Sequence, residues 1–279
     1  MQTVIGLGGI AVRVAKCFSE YPQYNIICID DELTGYDEEY LIPKQASPEL
    51  YEESFKRSPS GFKEKVKEAV LFIVSGTSLV SSISLRLLRP LILAEKKIKI
   101  LYIKTESSLL SEVKRMQDKV IFSVLQEYTR SGVFSEMTLV ENEMVDKLIE
   151  DASITEYYPT INKLISSSYH MIQVFENQNA VVSNIGDIIE CRRINTIGTL
   201  SKNNEENMFF NIDIPMDVRL YYGITEKSLK KDKDLQRNII NHIKENNQEL
   251  CKYSYGVYET KYEDNFCFVK TYTSKVQDI

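Results

Sequence analysis

Five short apolar runs, separated by stretches whose apolar residues recur at helical spacing, fill the first half of the chain and leave few folds open to it. They are Thr3–Leu7, "YNIICIDD" (24–31), "AVLFIVSG" (69–76), "IKILYIKT" (98–105) and "FSEMTLVE" (134–141). Nearly continuous Val/Ile/Leu runs of this kind are strands buried on both faces, which parallel sheets require. The intervening segments 10–21, 79–95, 107–132 and 142–152 read as helices, and strand–helix–strand alternation specifies a parallel sheet wound by right-handed crossovers. Gly132 ends the third of these helices, and Asn142 is an acceptable cap for the fourth. Residues 33–60 are polar and irregular, with one short helix expected over 48–56.

Pro159 then opens a helical stretch, "PTINKLISSSYHMIQVFENQNAVVSN" (159–184), long enough to run from one domain into another. Beyond it the texture changes. "MFFNID", "DVRLYYGI", "CKYSYGVYE" and "NFCFVKTYT" alternate aromatic or β-branched residues with polar ones, around one clear helix at 233–247. That pattern predicts a smaller α+β domain whose sheet has one face toward solvent. The expected organisation is an α/β Rossmann-like nucleotide-binding domain (1–158), a long central helix (159–184) and a C-terminal α+β domain (185–279).

Composition removes several functions. With 40 acids against 34 Lys and Arg, the net charge of −6 disfavours general nucleic-acid binding. Five scattered cysteines and two histidines, His170 and His242, give no disulfide frame, no metal site and no serine triad. No apolar run approaches the roughly 18 residues of a membrane span, so a cytoplasmic protein is expected.

The first turn, "VIGLGGIAVRVAKCF", places Gly6, Gly8 and Gly9 between a strand and a helix. Glycine lets a backbone approach phosphate, and the helix start supplies N–H donors and positive dipole. Asp30 or Asp31 at the end of the next strand could hold a ribose, so one reading is an NAD- or ATP-binding Rossmann-type enzyme. The other is a purely structural tight turn.

Over residues 1 to about 275 the order of elements resembles the tubulin/FtsZ family, with its GTP-binding domain, core helix and second domain. "VLFIVSG" looks like the strand before the family signature GGGTGTG, and "SLVSSIS" (78–84) falls on that signature without a gap. No glycine stands in it. The resemblance implies that Ser78, Ser81 and Ser82 face the phosphates with hydroxyls in place of bare backbone. It further implies that Asn142 reads guanine, that Tyr158 stacks on the base and that Asn162, four residues on, bonds its edge. Each has a plainer alternative, as a helix cap or a core residue. "SNIGDII" resembles the family loop NxDFADV, whose acids enter the neighbouring subunit's pocket; Asn184 stands at the first acid and Asp187 at the second, and an amide cannot act as a base. A helix end at Asn184 and a new helix at Gly186–Asp187 is the plainer reading.

The resemblance therefore implies a divergent cytoskeletal protein, self-associating or bound to another tubulin/FtsZ-like filament. Its binding of GTP or GDP, with magnesium, and its polymerisation-dependent hydrolysis would be weak or lost.

Overall fold

The computed structural model describes the whole chain except residues 1, 34, 107, 109, 150–152, 202, 232 and 248. The end of the expected 142–152 helix and the first turn of the expected 107–132 helix thus include positions outside the described residues. Two compact units are formed, one by residues 1–166 with 278–279, the other by residues 167–277.

The first unit is built on strands β1 (Gln2–Leu7), β2 (Tyr24–Asp30), β3 (Glu39–Leu41), β4 (Ala69–Val74), β5 (Lys97–Lys104) and β6 (Glu136–Glu141). They lie side by side in the order β3-β2-β1-β4-β5-β6, every neighbouring pair parallel. The apolar runs behave as fully buried strands should: Val4, Ile5 and Leu7 of β1 and Val70 to Val74 of β4 have no exposed surface. Helix α1 (Gly9–Cys17) turns Ala11, Val12, Val14 and Ala15 inward. Helix α2 (Pro48–Ser54) starts where a serine cap and a proline predict it, Ser47 Oγ accepting the Leu50 N–H at 3.4 Å. A one-turn helix α3 (Phe62–Lys65) and the three-residue β3 carry no periodic signal, being too short to repeat one.

Helix α4 (Ser84–Leu93) is shorter than the expected helix, because residues Leu79–Ile83 form a 3-10 turn. Helix α5 (Glu112–Arg130) is capped by Ser111 Oγ and stops before Gly132, whose φ of 85° a side chain would strain. Helix α6 (Asn142–Asp146) follows β6 without a break.

Helix α7 (Tyr157–Glu176) begins in the first unit and ends in the second. At about 1.5 Å per residue it is roughly 30 Å long. It ends eight residues before Asn184, so the expected 159–184 span is too long: Val181 and Val182 belong to an extended segment that includes β7 (Val182–Ser183). The Val181 N–H donates to Val257 O at 2.7 Å. Pro159 is the third helical residue, still within the turn where no N–H partner is lost.

In the second unit β8 (Ile194–Leu200), β9 (Glu206–Met208), β10 (Asp217–Thr225), β11 (Lys252–Thr260) and β12 (Phe266–Thr273) make a mixed sheet in the order β8-β12-β10-β11-β7, with β9 beside β8. Only the β10–β11 pair is parallel among these, and helices α8 (Glu226–Lys231) and α9 (Leu235–Asn246) supply its crossover. Val218, Leu220, Tyr222 and Ile224 pack with Ile239 of α9. The opposite face was expected to meet solvent, and it does not. Every residue of β10 from Asp217 to Ile224 is buried, and Phe175 of α7 stacks on Tyr258 at 4.5 Å. On that face Lys270, with 1% of its side chain exposed, pairs with Glu176 at 2.9 Å, and the Tyr221 hydroxyl donates to the same carboxylate. Among the described residues no helix is long and apolar enough to cross a membrane.

Candidate functional site

The turns after β1 and β4, and Asn142 directly after β6, stand at the carboxyl ends of the parallel strands, where open α/β sheets hold ligands. The first turn uses its three glycines differently. A methyl on Gly6 would stand 2.8 Å from Ala15 Cβ and Ala11 O, so this position is fixed by helix-on-strand packing. Gly8 has a φ of 82°, and a Cβ there would lie 2.4 Å from Ser78 Oγ. Around Gly9 space is open; the nearest atoms to a Cβ would be the Arg13 guanidinium nitrogens at 3.9 Å. Helix α1 has no side-chain cap and no acid in its first turn, which leaves its leading N–H groups available to an anion.

The second turn, residues 75–84, is closed on itself. Ser81 is fully buried and its hydroxyl donates to Ser78 O at 2.6 Å, while Ser82 Oγ donates to Leu79 O at 2.9 Å. A hydroxyl has one proton to give, so these two serines direct theirs into the 3-10 turn. Gln117 of α5 donates from Nε2 to Ser78 O (2.6 Å) and Ser81 Oγ (3.3 Å), tying the turn to the helix behind it. Ser75, Thr77 and Thr105 join through their hydroxyls at 3.0 to 3.5 Å.

Gly76 is the one glycine of this turn, and packing dictates it. A Cβ would sit 2.5 Å from the Tyr102 hydroxyl and 2.6 Å from Asp118 Cα. The Gly76 N–H donates to the Tyr102 hydroxyl at 3.2 Å, which in turn donates to Asp118 Oδ1 at 2.6 Å. Burial raises the titration points of both Tyr102 and Asp118.

Asn142 is the first residue of α6, not its cap; the cap position is Glu141 and no side chain bonds there. Its Oδ1 is buried and has no hydrogen-bond partner among the described residues. Asn162, on α7, is 7% exposed. Tyr158 is 58% exposed and meets Tyr157 edge to face at 5.1 Å. The Tyr157 hydroxyl is hydrogen-bonded to Asp146, which pushes its pKa up to about 12.

Asp30 and Asp31 each have one carboxylate oxygen engaged within the protein. Asp30 Oδ1 accepts the Asp31 N–H at 2.9 Å, and Asp31 Oδ2 accepts the hydroxyl of the buried Tyr51. Burial raises Asp30 to about 6.

Asn184 and Asp187 lie in the second unit, on a segment without regular structure. Neither the helix end nor the helix start considered for them is present. Asn184 instead pairs twice with Tyr255 of β11: its N–H donates to Tyr255 O at 3.0 Å, and its Oδ1 accepts the Tyr255 N–H at 2.7 Å. Asp187 is exposed, between the exposed apolar residues Val181, Val182 and Ile189.

Tyr102, Gln117, Asp118 and Tyr157 were not singled out from the sequence. The available signal was the polar pair Gln117–Asp118 on the inward face of an amphipathic helix.

Solved structures match this arrangement over nearly the whole chain. A GTPγS-form protofilament of TubZ from Bacillus thuringiensis serovar israelensis superposes with a TM-score of 0.70, at 14% identity, over 98% of this chain and 86% of its own. This is the tubulin/FtsZ fold. CetZ2 from Haloferax volcanii, in a GTPγS-bound protofilament, gives 0.69 at 14% identity over 98% and 92%. An empty FtsZ dimer of M. jannaschii gives 0.66 at 11% identity over 97% and 87%. No family model matches the sequence, and no curated protein does. The tubulin/FtsZ fold is here carried by a sequence only 11–14% identical to these structures.

Proposed function

We propose that this chain is a self-associating cytoskeletal protein of the tubulin/FtsZ fold that binds guanine nucleotide weakly and hydrolyses it slowly or not at all. The observation that carries this reading is the unanswered amide oxygen of Asn142. Asn142 Oδ1 is buried with no hydrogen-bond partner among the described residues, and Asn162, four residues after Tyr158, is 7% exposed. A buried polar atom without a partner costs about 1–3 kcal/mol, and an N–H donor on a base edge would satisfy Asn142 Oδ1. Tyr158, on α7 with Asn162 and exposed, is available to stack on that base.

The phosphate end supports weak binding. Gly9 and the open start of α1 fit an anion, while Ser81 and Ser82 have committed their protons and Ser78 fills the space beside Gly8. One of the two turns that would cradle phosphate is therefore engaged elsewhere. Magnesium would have hydroxyls within residues 75–84 but no carboxylate. For hydrolysis, Asp187 is exposed and could act on a neighbouring copy's nucleotide, whereas Asn184 is an amide held by Tyr255. The exposed Val181, Val182 and Ile189 around Asp187 support a contact between copies at this loop. The Rossmann-enzyme alternative has less support, since Asp30 and Asp31 are already bonded within the protein.

A fluorescent guanine nucleotide, titrated against wild type and Asn162→Ala, tests the reading. Saturable binding in the micromolar to millimolar range that is lost in the variant is expected. Absence of wild-type binding at about 1 mM, roughly −4 kcal/mol, refutes it.

A further inference from the structure

Helix α1 carries a cation over its positive end. Lys16 stands in the last turn, where the helix dipole favours a positive charge. Arg13 is placed otherwise. It is exposed, and its side chain leans back along the helix, as long helical side chains do. Both terminal guanidinium nitrogens therefore stand 3.9 Å from where a Cβ would lie on Gly9. Gly9 is the first residue of α1 and presents no side chain to Arg13, Gly8 caps the helix without a side-chain bond, and no acid stands in the first turn. The guanidinium is thus held beside N–H groups that have no intrahelical acceptor. Like charges make that placement unfavourable in itself, and an anion held there reverses the sign.

The neighbouring acids are turned to other groups. Glu20, just beyond α1, pairs with Lys163 at 3.4 Å. Of the acids that follow β2, Asp31 Oδ2 accepts the Tyr51 hydroxyl, Asp30 Oδ1 accepts the Asp31 N–H, and Glu32 pairs with Lys44 at 2.9 Å.

A separate observation stands across the turn. Ser78 Oγ would lie 2.4 Å from a Cβ on Gly8, and the Gln117 amide reaches Ser78 O at 2.6 Å. Gln117 is 9% exposed, and its Oε1 is buried with no hydrogen-bond partner among the described residues. An unanswered acceptor at that place calls for a donor. Water carried in with a hydrated phosphate group, or a sugar hydroxyl, supplies one.

We infer that Arg13 binds the phosphates of the nucleotide, supplying from α1 the charge and the donors that Ser81 and Ser82 direct into their own turn. The inference rests on the reading of this pocket as a guanine-nucleotide site. A guanidinium offers a phosphate two parallel N–H donors, which an ammonium does not reproduce. Affinity then follows the charge of the phosphate chain and falls as salt screens it.

The test uses the full chain and the variants Arg13→Ala and Arg13→Lys, with fluorescent GDP, ADP and guanosine followed by anisotropy and inorganic pyrophosphate by calorimetry. Position 13 is exposed and alanine and lysine are good helix formers, so circular dichroism should be unchanged. Wild type should bind GDP roughly tenfold or more tighter than guanosine. Arg13→Ala should lose about tenfold or more for GDP and for pyrophosphate, with guanosine within about twofold, and Arg13→Lys should fall between. Between about 50 and 300 mM salt, GDP affinity should fall more steeply in wild type than in Arg13→Ala. Arg13→Ala binding GDP and pyrophosphate as wild type does, or losing guanosine as heavily as GDP, would overturn the inference and leave the guanine reading standing. Pyrophosphate bound through Arg13 with no preference for GDP over ADP would overturn the guanine reading and leave the role of Arg13. Wild type that binds neither GDP nor pyrophosphate overturns both.

Discussion

Replacing Gly76 by alanine should be among the most damaging single-methyl changes available to the first unit. The new Cβ would stand 2.5 Å from the Tyr102 hydroxyl and 2.6 Å from both Asp118 Cα and Asp118 Oδ1. Backbone cannot yield as a flexible side chain can, and overpacking of this kind costs about 1–3 kcal/mol. Displacing Tyr102 also breaks its bonds to Gly76 N–H and Asp118, stranding buried partners at a further 1–3 kcal/mol or so. A loss of about 3 kcal/mol is therefore expected for Gly76→Ala, and about 1–3 kcal/mol for Tyr102→Phe. The two should not add: Tyr102→Phe removes the nearer obstruction, so alanine at 76 should cost less in that background, by a coupling of about 1 kcal/mol. Urea unfolding followed by far-ultraviolet circular dichroism measures all three, the chain having no tryptophan to report on packing. Gly76→Ala within about 0.5 kcal/mol of wild type, the range of an ordinary surface change, would refute the packing argument. Strict additivity would refute the claim that the Tyr102 hydroxyl is what the methyl meets.

Other outcomes follow from the same structure. Glu176→Ala should cost about 3–5 kcal/mol by leaving Lys270 buried without its carboxylate; Lys270→Met should cost clearly less, since Glu176 keeps the Tyr221 hydroxyl and some solvent. Asp30 titrates near 6 in the folded protein, against an ordinary 3.8, because burial disfavours its charge. The folded state therefore holds the extra proton between those values, and stability from this group is lost as pH rises through about 4 to 6. Asp30→Asn should flatten that part of the stability profile, and identical profiles for the two proteins would sink the assignment. Asn184→Asp keeps an acceptor for the Tyr255 N–H and should leave stability nearly unchanged. If the loop acts on a neighbouring copy, it should raise phosphate release from GTP in concentrated protein, measured with a coupled phosphate assay. No rise at any concentration counts against that role.

The strands of the first unit were readable because a doubly covered parallel strand needs a continuous apolar run, and β1, β2, β4, β5 and β6 all have one. The end of α7 was not. Val181 and Val182 continue the apolar spacing of the helix, but their backbone is claimed by Val257, a partner distant in sequence. The same kind of distant partner hid the outcome at the sites. That the Oδ1 of Asn142 is buried with no cap to make, and that Asn184 is held by Tyr255, depends on neighbours the local sequence does not name. Ser81 and Ser82 were legible as hydroxyls in place of glycines, but their direction is set by a 3-10 turn and by Gln117 behind it. The covered face of the second sheet was missed because Asp217, Arg219 and Lys270 read as solvent-facing until paired charges bury them.

The contact between Gly8 and Ser78 bears on how such a sequence can change over time. A Cβ at position 8 would strike Ser78 Oγ at 2.4 Å and Ser78 Cβ at 2.8 Å, on a backbone whose φ already disfavours side chains. Once a serine occupies position 78, position 8 is held to glycine for reasons of space, whether or not a phosphate is ever bound there. Retention of glycine in the first turn is then no record of selection for nucleotide.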